Sequence, residues 1–552
     1  MSWDPVFVEV FGNQLVGVAE EVTAATVRAG FSTAIRDRRD CSAVVVTRSG
    51  EIVAQAADVP IHLGGMSQVV GGVVAHFGMR GLRRGDVLIS NDPYLGACSH
   101  LNDITAICPV WIGRRLELFV CVTAHHADVG GRRPGSESVD SESIFQEGIR
   151  VPGLLAFRGG RLVEATVDLI KANSRTPDER VGDLRAQIGA VLRGSARLGE
   201  LVDRYGAAQF VGGLDAVLNA SERHFRLALR ELDDGRFTAC ESLDPVRSSG
   251  VGVEIHVEVA KCGDSVEVDF AGTSAQVPEG RNVPYAGLVS AVLYAMKALV
   301  DPAVPANSGF YRAVAVRAPE GSLVNCEFPA GVSTRVGTAQ HIAGAIFKAV
   351  SGAWGDRVVA GCDGRRKVIF SGLDSRSRKY FVYHESNAGG VGAHAHGDGI
   401  SGAMAHVIQM MNLPVETLEV EYPLRVRRLE LICDSGGAGR WRGGLGVRRD
   451  YEVLCDEVEC TLGSERTNER MWGLAGGLPG ERGRFVVDEG MTSEWEPDSS
   501  RVASVRLVAG QTLSVKTAGG GGYGDPRGRE GWRVDEDRRA GLVSESGSSL
   551  YR

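Results

Sequence analysis

Residues 90–128 read SNDPYLGACSHLNDITAICPVWIGRRLELFVCVTAHHAD. Two apolar runs dominate the stretch, ITAICPVW (104–111) and LELFVCVTA (116–124), and the link IGRR between them holds Gly113. Both are rich in β-branched and aromatic residues, a strand composition, and the glycine marks a turn. A hairpin centred on residue 114 pairs residues equidistant from that centre. Asp103 then falls opposite His125, because turn position sets register in an antiparallel pair. His100 lies three residues before Asp103, in the loop entering the first strand, and His125 leaves the second. The hairpin predicts that His100, Asp103 and His125 meet at its open end.

Two imidazoles and a carboxylate, with coordination positions left for water, make a catalytic site for a divalent metal: Zn2+, Mn2+ or Fe2+. The alternative is that these are loop histidines capping strands and turns, and the spacing H-x-x-D with a distant His leaves both open. His126 points to the opposite face if the strand continues, which suits packing or support of the site. A second cluster lies in GGVGAHAHGDG (389–399). An extended H-x-H-x-D would put His394, His396 and Asp398 on one face. The flanking glycines favour an irregular loop whose backbone N–H groups contact a substrate or an anion.

Outward from the hairpin, Val8, Phe11, Leu15, Val18 and Val22 recur at steps of three or four and predict a helix that stops at Gly30. SAVVVT (42–47) and IVAQA (52–56) predict a hairpin turning at Ser49-Gly50, and DVLIS (86–90) a strand ended by Asn91-Asp92-Pro93. RRPGSESVDSES (132–143) reads as a surface loop with the composition of a mobile lid. From residue 176 the pattern is helical and Arg-rich, through two or more helices. Near Gly235 it changes to period-two alternation, in VGVEIHVEVA and DSVEVDFAG. LVSAVLYAMKALV (288–300) returns to helix, and the region after Glu419 is β-rich and full of glycine. GGGGYGD (519–525) lacks a strand–turn–helix context and is expected to form turns. The tail after Pro526 is charged and weakly patterned. The expectation is an α+β, multi-domain mixed α/β protein. A helical insert follows the metal-bearing β-hairpin region, and the C-terminal half is Gly-rich and β-dominated. The expected units are 1–235, 236–425 and 426–552.

The 552 residues are 43% hydrophobic and 24% charged, an ordinary globular balance, whereas 73 glycines are about double the usual ~7%. The net charge of −8 excludes a general electrostatic grip on nucleic acid or anionic lipid. Eleven cysteines without a C-x-x-C pair read as reduced thiols. Cys41, in RRDCSA, is a nucleophile or, in the plainer reading, a small buried side chain. The N-terminal apolar stretch has no basic flank and is interrupted by Asp4 and Glu9, so no signal peptide is expected. The best membrane candidate, 288–300, contains Lys297 and falls short of the ~20 residues a span needs. A cytoplasmic protein is expected. No GxxxxGK[ST] and no G-x-S-x-G occurs, so no Walker-type ATP site is read here.

The segments DPVFVEVFGNQLVGVAEEVTAATVRAGFS, RRDCSAVVV, VAQAADVPIHLGGM, SNDPYLGACSHLNDIT, HHADVGG and EGIRVP resemble the B subunit of N-methylhydantoinase and 5-oxoprolinase. SGGAGRWRGGLGVRRDYEV, MWGLAGGLPG and TAGGGGYGDP continue the resemblance, so it runs in order along the whole chain. It implies a metal held by the His-x-x-Asp after N-D-P and by a His of the next motif: His100, Asp103 and His125. Asp40, from the R-R-D segment, matches a further acidic position, as a ligand or a supporting group. The segment GACSHLND departs from the commoner G-G-T-H-L-P-D at Ser99 and Asn102, which bears on loop rigidity and substrate preference. The resemblance also implies a partner A subunit of the actin-like ATPase class that binds ATP and phosphorylates an amide or ketone oxygen. The chain would then be the metal-dependent catalytic subunit of an ATP-dependent cyclic amide hydrolase (hydantoinase, oxoprolinase or lactamase) in a hetero-oligomer. His126, Asp128 and Glu147 are the unranked candidates for general base or water-orienting group. The alternatives are a subunit of an acetone- or acetophenone-type carboxylase and a non-catalytic assembly subunit.

Overall fold

The structure is a computed structural model that describes residues 3–96, 98–465, 469–497, 499 and 501–552. The first sheet has seven strands: β1 (Cys41–Thr47), β2 (Ile52–Gln55), β3 (Val87–Ser90), β4 (Asp103–Ile112), β5 (Arg115–His125), β6 (Leu154–Arg158) and β7 (Arg161–Leu162). Their order is β2-β1-β5-β4-β3-β6-β7. Strands β4 and β5 form the expected hairpin, with Asp103 opposite His125. That register holds to Val110 opposite Leu118, after which a bulge shifts the pairing by one residue before the turn. Strand β1 flanks β5 on its other side and pairs Cys41 with Ala124. Asp40, His125 and Asp103 are thereby drawn to one end of three adjacent strands.

Both faces of this sheet are covered, which is why its strands read as nearly unbroken apolar runs. One face meets α1 (Pro5–Ala29), α2 (Pro177–Tyr205) and α3 (Ala207–Arg230). Phe11, Leu15, Val18 and Val22 of α1 share a core with Leu184, Ile188 and Val191 of α2 and with Val120 and Val122 of β5. Helix α1 starts where Asp4 accepts a hydrogen bond from Val6 N (3.1 Å) and ends at Gly30, as its spacing predicts. On the other face Val44, Leu88, Phe119 and Cys121 pack against Val69, Val70 and Val73. Each such buried side chain contributes roughly 1.5–3 kcal/mol.

The second sheet contains β8 (Gly235–Leu243), β9 (Val253–Cys262), β10 (Ser265–Asp269) and β11 (Val314–Arg317), ordered β11-β10-β9-β8. It shares a core with α4 (Tyr285–Val300) and α5 (Arg335–Val350). The remaining strands are β12 (Arg365–Asp374), β13 (Lys379–Ala388), β14 (Leu424–Leu431), β15 (Val447–Val453), β16 (Glu457–Gly463), β17 (Arg484–Val487), β18 (Arg501–Val508) and β19 (Thr512–Lys516). They form two four-stranded sheets, β13-β12-β16-β18 and β14-β15-β19-β17, around one core that includes Phe370, Tyr383, Tyr451 and Val515. The fold is α+β. Strand β12 pairs with β16, so the expected division at 425/426 would cut a sheet; we propose a division at about 360, which leaves every sheet whole. Among the described residues no helix is long and apolar enough to cross a membrane.

The glycines explain themselves in this half. Segments near 390, 437, 444, 478 and 520 lie side by side, joined by backbone hydrogen bonds outside any strand ladder. Gly437 N donates to Gly520 O, Gly520 N to Gly444 O and Gly522 N to Leu478 O, each at 2.9 Å. A Cβ on Gly443 or Gly444 would lie 2.0 Å from a neighbouring carbonyl oxygen, and one on Gly520 2.2 Å from Val391 O. The turn expected at 519–525 is therefore corrected. Residues 519–522 are buried chain inside the bundle, and glycine is required there for space between backbones.

Gly520→Ala should lower stability by about 3 kcal/mol or more, the scale of a severe core substitution. Gly531→Ala, at a helix start with open space around its Cα, should be neutral within about 0.5 kcal/mol. Urea unfolding midpoints decide the comparison, and equal midpoints would overturn the close-packing assignment.

Candidate metal centre

Local chemistry places each side chain at the hairpin mouth. The loop before β4 is pinned by Asn91, whose side-chain amide donates to Leu101 O (2.7 Å) and Ile149 O (2.9 Å). Asn102 donates to His126 O (2.9 Å) and Gly135 O (3.0 Å), which ties that loop to the chain beyond β5. His100, Asp103 and His125 then converge. His100 Nε2 lies 3.0 Å and His125 Nδ1 3.4 Å from Asp103 Oδ1. The two imidazole rings are 5.2 Å apart between centroids. The other carboxylate oxygen of Asp103 accepts from Arg335 (2.9 Å) and faces His62 Nε2 at 3.4 Å.

The protonation pattern follows from these contacts. His100 Nδ1 is 3.3 Å from Ser333 O, and a carbonyl only accepts, so the proton sits on Nδ1. Nε2 then turns a lone pair toward the ionised Asp103. Among the described residues neither His100 Nε2 nor Asp103 Oδ1 has a hydrogen-bond partner, although both atoms are buried. Burial and the Arg335 charge push His100 down to about 4, which keeps it in the neutral, ligating form. Burial opposes ionisation of Asp103, but the Arg335 guanidinium and His62 at its other oxygen favour the charge, and the carboxyl is held well below its usual range. Two facing lone-pair donors without a hydrogen bond leave a place for a cation. Donors about 2.0–2.2 Å from one ion are about 3.0–3.5 Å apart, and the 3.0 and 3.4 Å separations fit.

Glu137 is the residue that sequence reasoning missed. It lies in 132–143, expected to be a surface loop, yet Glu137 is 1% exposed and Ser136, Ser138 and Ser141 are buried. The correction has a local cause: several polar groups of this segment are answered by protein and not by solvent. Gly135 N donates to Asp128 Oδ1 (3.1 Å) and Ser136 Oγ to Gly130 O (2.7 Å). Gly135, at φ +83°, packs where a Cβ would strike His384 and Ile369. Glu137 Oε1 lies 3.8 Å from both His100 Nδ1 and His125 Nε2, and His100, His125 and Glu137 offer donor atoms within 4.8 Å of one another. Its carboxylate pairs with Lys367 and, at 3.6 Å, with Arg365. Burial raises the Glu137 carboxyl, but Lys367 and Arg365 hold it well below its ordinary value. Burial pulls Lys367 down to about 7. One of two glutamates in a Ser-rich stretch carries no periodic signal, and His62 within VPIHLGGM was equally silent.

The other expected residues are distributed as follows. Asp40 lines the same cavity, and its carbonyl accepts from His125 N at 3.0 Å. His126 is directed away, with Nε2 2.9 Å from Gln187 Oε1 of α2. Asp128 pairs with Arg175 at 2.9 Å and braces the 130–136 turn. Glu147 Oε1 accepts from Val332 N (2.8 Å) and Ser333 N (2.9 Å). It thus supports the carbonyl that orients His100, and it stands outside the cavity lining. Burial raises Glu147 to about 8 despite those two N–H groups. In the second cluster Asp398 is bound by Arg529 at 2.7 and 2.9 Å, while His394 Nδ1 accepts from His396 N at 3.2 Å. Cys41 opens β1 fully buried.

A family model described as Hydantoinase B/oxoprolinase matches residues 4–526. The chain is 30% identical to the caprolactamase subunit beta of Pseudomonas jessenii, over 99% of this chain and 95% of that one. The crystal structure of the ATP-dependent caprolactamase from Pseudomonas jessenii superposes with a TM-score of 0.92 at 29% identity, covering 100% of this chain and 96% of the other. The nucleotide-free structure of acetone carboxylase shares the fold, with a TM-score of 0.90 at 18% identity over 99% of this chain and 79% of that one.

Glu137→Gln should weaken divalent-metal binding by about 10–100-fold, whereas His126→Asn should leave it unchanged, as read by equilibrium dialysis with elemental analysis. A second expectation concerns pH. Glu147 has a folded pKa of about 8, above an unfolded value near ~4.3. Its contribution to stability is full below the unfolded value and is lost as pH rises through about 8. The wild type should lose stability relative to Glu147→Gln between about pH 5 and 8, by up to about 1.4 kcal/mol per pH unit. Parallel pH profiles would refute the burial of a protonated Glu147.

Proposed function

The chain belongs to the hydantoinase B/oxoprolinase family, and on that premise we propose that it is the metal-dependent B subunit of an ATP-dependent cyclic amide hydrolase. The observation that carries the proposal is the pair of buried, hydrogen-bond-deprived donors, His100 Nε2 and Asp103 Oδ1, facing each other with His125 alongside. Asp40, His100, Asp103 and His125 are proposed to hold the cation. The beta subunit of a caprolactamase among the relatives supports both the lactam-type substrate and a hetero-oligomer. ATP is assigned to a partner A subunit of the actin-like ATPase class, as the resemblance implies.

The chemistry follows from the amide. An unstrained cyclic amide is a poor electrophile because attack destroys its resonance. Phosphorylation of its oxygen by the partner leaves an imidate-like carbon with phosphate as leaving group. A divalent cation in this cradle supplies Lewis acidity, enough to bring the pKa of a water from 15.7 towards ~7. The protein groups do the rest. Arg38, Arg335, Arg365 and Lys367 line the cavity and set three guanidinium groups and one amine against Asp40, Asp103 and Glu137. With a cation bound, the balance favours an anionic, phosphorylated reactant. With Asp40 and Asp103 given to the cation, Glu137 is the lining carboxylate left to take a proton from an attacking water; His126, Asp128 and Glu147 stand outside the lining.

The test is ATP-dependent ring opening by the chain co-purified with its ATPase partner, on hydantoin, 5-oxoproline and caprolactam. Chelation should abolish turnover and added Mn2+ or Zn2+ should restore it. His100→Ala and His125→Ala should each lower kcat by more than about 100-fold, beyond the loss expected for a merely supporting partner. Full activity after chelation, or in both variants, would sink the metal assignment. A strict requirement for bicarbonate would move the chain to the carboxylase alternative.

A further inference from the structure

A second constellation of donors sits on a different sheet. Strands β8 and β9 pair with Cys240 directly opposite His256. Directly opposed residues project from the same face, and Glu254, two residues before His256, shares it. Val253, Ile255, Val257 and Val259 alternate with them and are buried, so the three donors occupy the solvent side. Cys240 Sγ lies 3.6 Å from His256 Nε2, and His256 Nε2 lies 3.2 Å from Glu254 Oε2. All three donor atoms fall within 4.8 Å of one another.

Those separations are the edges of a coordination tetrahedron. With Zn–S about 2.3 Å and Zn–N or Zn–O about 2.0–2.1 Å, tetrahedral angles put S and N about 3.6 Å apart and N and O about 3.3 Å apart. We propose that Cys240, Glu254 and His256 bind a thiophilic divalent cation, Zn2+ by the chemistry of the set, with water at the fourth corner. A thiolate with an imidazole selects Zn2+ over Mg2+, Ca2+ or Mn2+. The framework is held in place beforehand. His256 N donates to Thr273 Oγ1, and Thr273 Oγ1 donates to His256 O, each at 3.1 Å; Glu254 N donates to Ser274 Oγ at 3.0 Å. Lys348 donates to Cys240 O at 2.9 Å, which fixes the edge strand beside the thiol. Burial and the Glu254 charge raise the free thiol, so a metal must displace its proton and binding should strengthen as pH rises. A cation here would clip the terminal strand β8 to β9, where the sheet otherwise ends in an open edge.

Cobalt reads this site separately from the hairpin mouth, because only a thiolate ligand gives a sulfur-to-cobalt charge-transfer band in the near ultraviolet. The mouth residues Asp40, His100, Asp103, His125 and Glu137 include no sulfur. The full-length chain, stripped with a chelator, should develop the band on Co2+ titration, saturating at one thiolate-bound ion per chain, and Zn2+ should displace it. Cys240→Ser should abolish the band with an unchanged circular dichroism spectrum. His256→Gln and Glu254→Gln should weaken binding by on the order of 10–100-fold. His125→Ala should retain the band. No band in the wild-type chain, half-saturation only at millimolar Co2+, or a band surviving in Cys240→Ser would overturn the proposal. No substrate, nucleotide or partner enters the measurement, so its failure is distinct from failure of the hydrolase reading.

Discussion

Asp103 is a fully buried carboxylate that must stay ionised, and much of the molecule is arranged around that requirement. A buried charge is strongly destabilising unless it is paired and hydrogen-bonded. Here one oxygen is answered by Arg335 and His62, and the other looks at two imidazoles. Arg335 comes from the start of α5, His62 from the segment after β2, and the imidazoles from the two ends of one hairpin. Elements remote in sequence are therefore locked to one carboxylate. The imbalance left on its second oxygen is what supports the proposal of a cation there instead of a closed ion pair.

The C-terminal half has a part in the same cradle. Strands β12 and β13 bring Arg365, Lys367 and His384 to the hairpin mouth. His384 Nε2 is held against Ala127 O at 2.7 Å, immediately beyond β5. The sheet that carries β12 and β13 meets the glycine bundle, in which backbones approach too closely for any side chain. The bundle's cohesion comes from backbone hydrogen bonds in several directions, made accessible by the missing Cβ atoms. The unusual glycine content is thus part of how the distant basic groups are positioned.

Legibility in the sequence differed by the physics of each element. The hairpin register was readable because two apolar runs and one glycine turn leave a single pairing that buries them. The first helix was readable from its apolar spacing and its Gly30 stop. Residues 132–143 misled because a Ser- and Glu-rich segment looks solvated, and only tertiary contacts show it buried, with Gly135 N and Ser136 Oγ bonded inside the protein. Residues 519–525 misled for a related reason. Glycine signals both turns and close backbone approach, and composition does not separate the two. His126 and Asp128 were near the ligands in sequence but are held by Gln187 and Arg175, partners some fifty to sixty residues away.

By itself the sequence determined the α+β character, the hairpin, and the meeting of Asp103 with His125, since each depends on periodicity and turn position within a few tens of residues. The resemblance along the chain added the family. Tertiary structure alone decided that Glu137, His62, Arg335, Arg365 and Lys367 surround that pair, and that His126, Asp128 and Glu147 do not. The reason is physical: a local pattern sets which way a side chain points from its own strand or helix. What it meets there is set by packing between elements hundreds of residues apart, and in the buried interior that meeting decides charge, protonation and room for an ion.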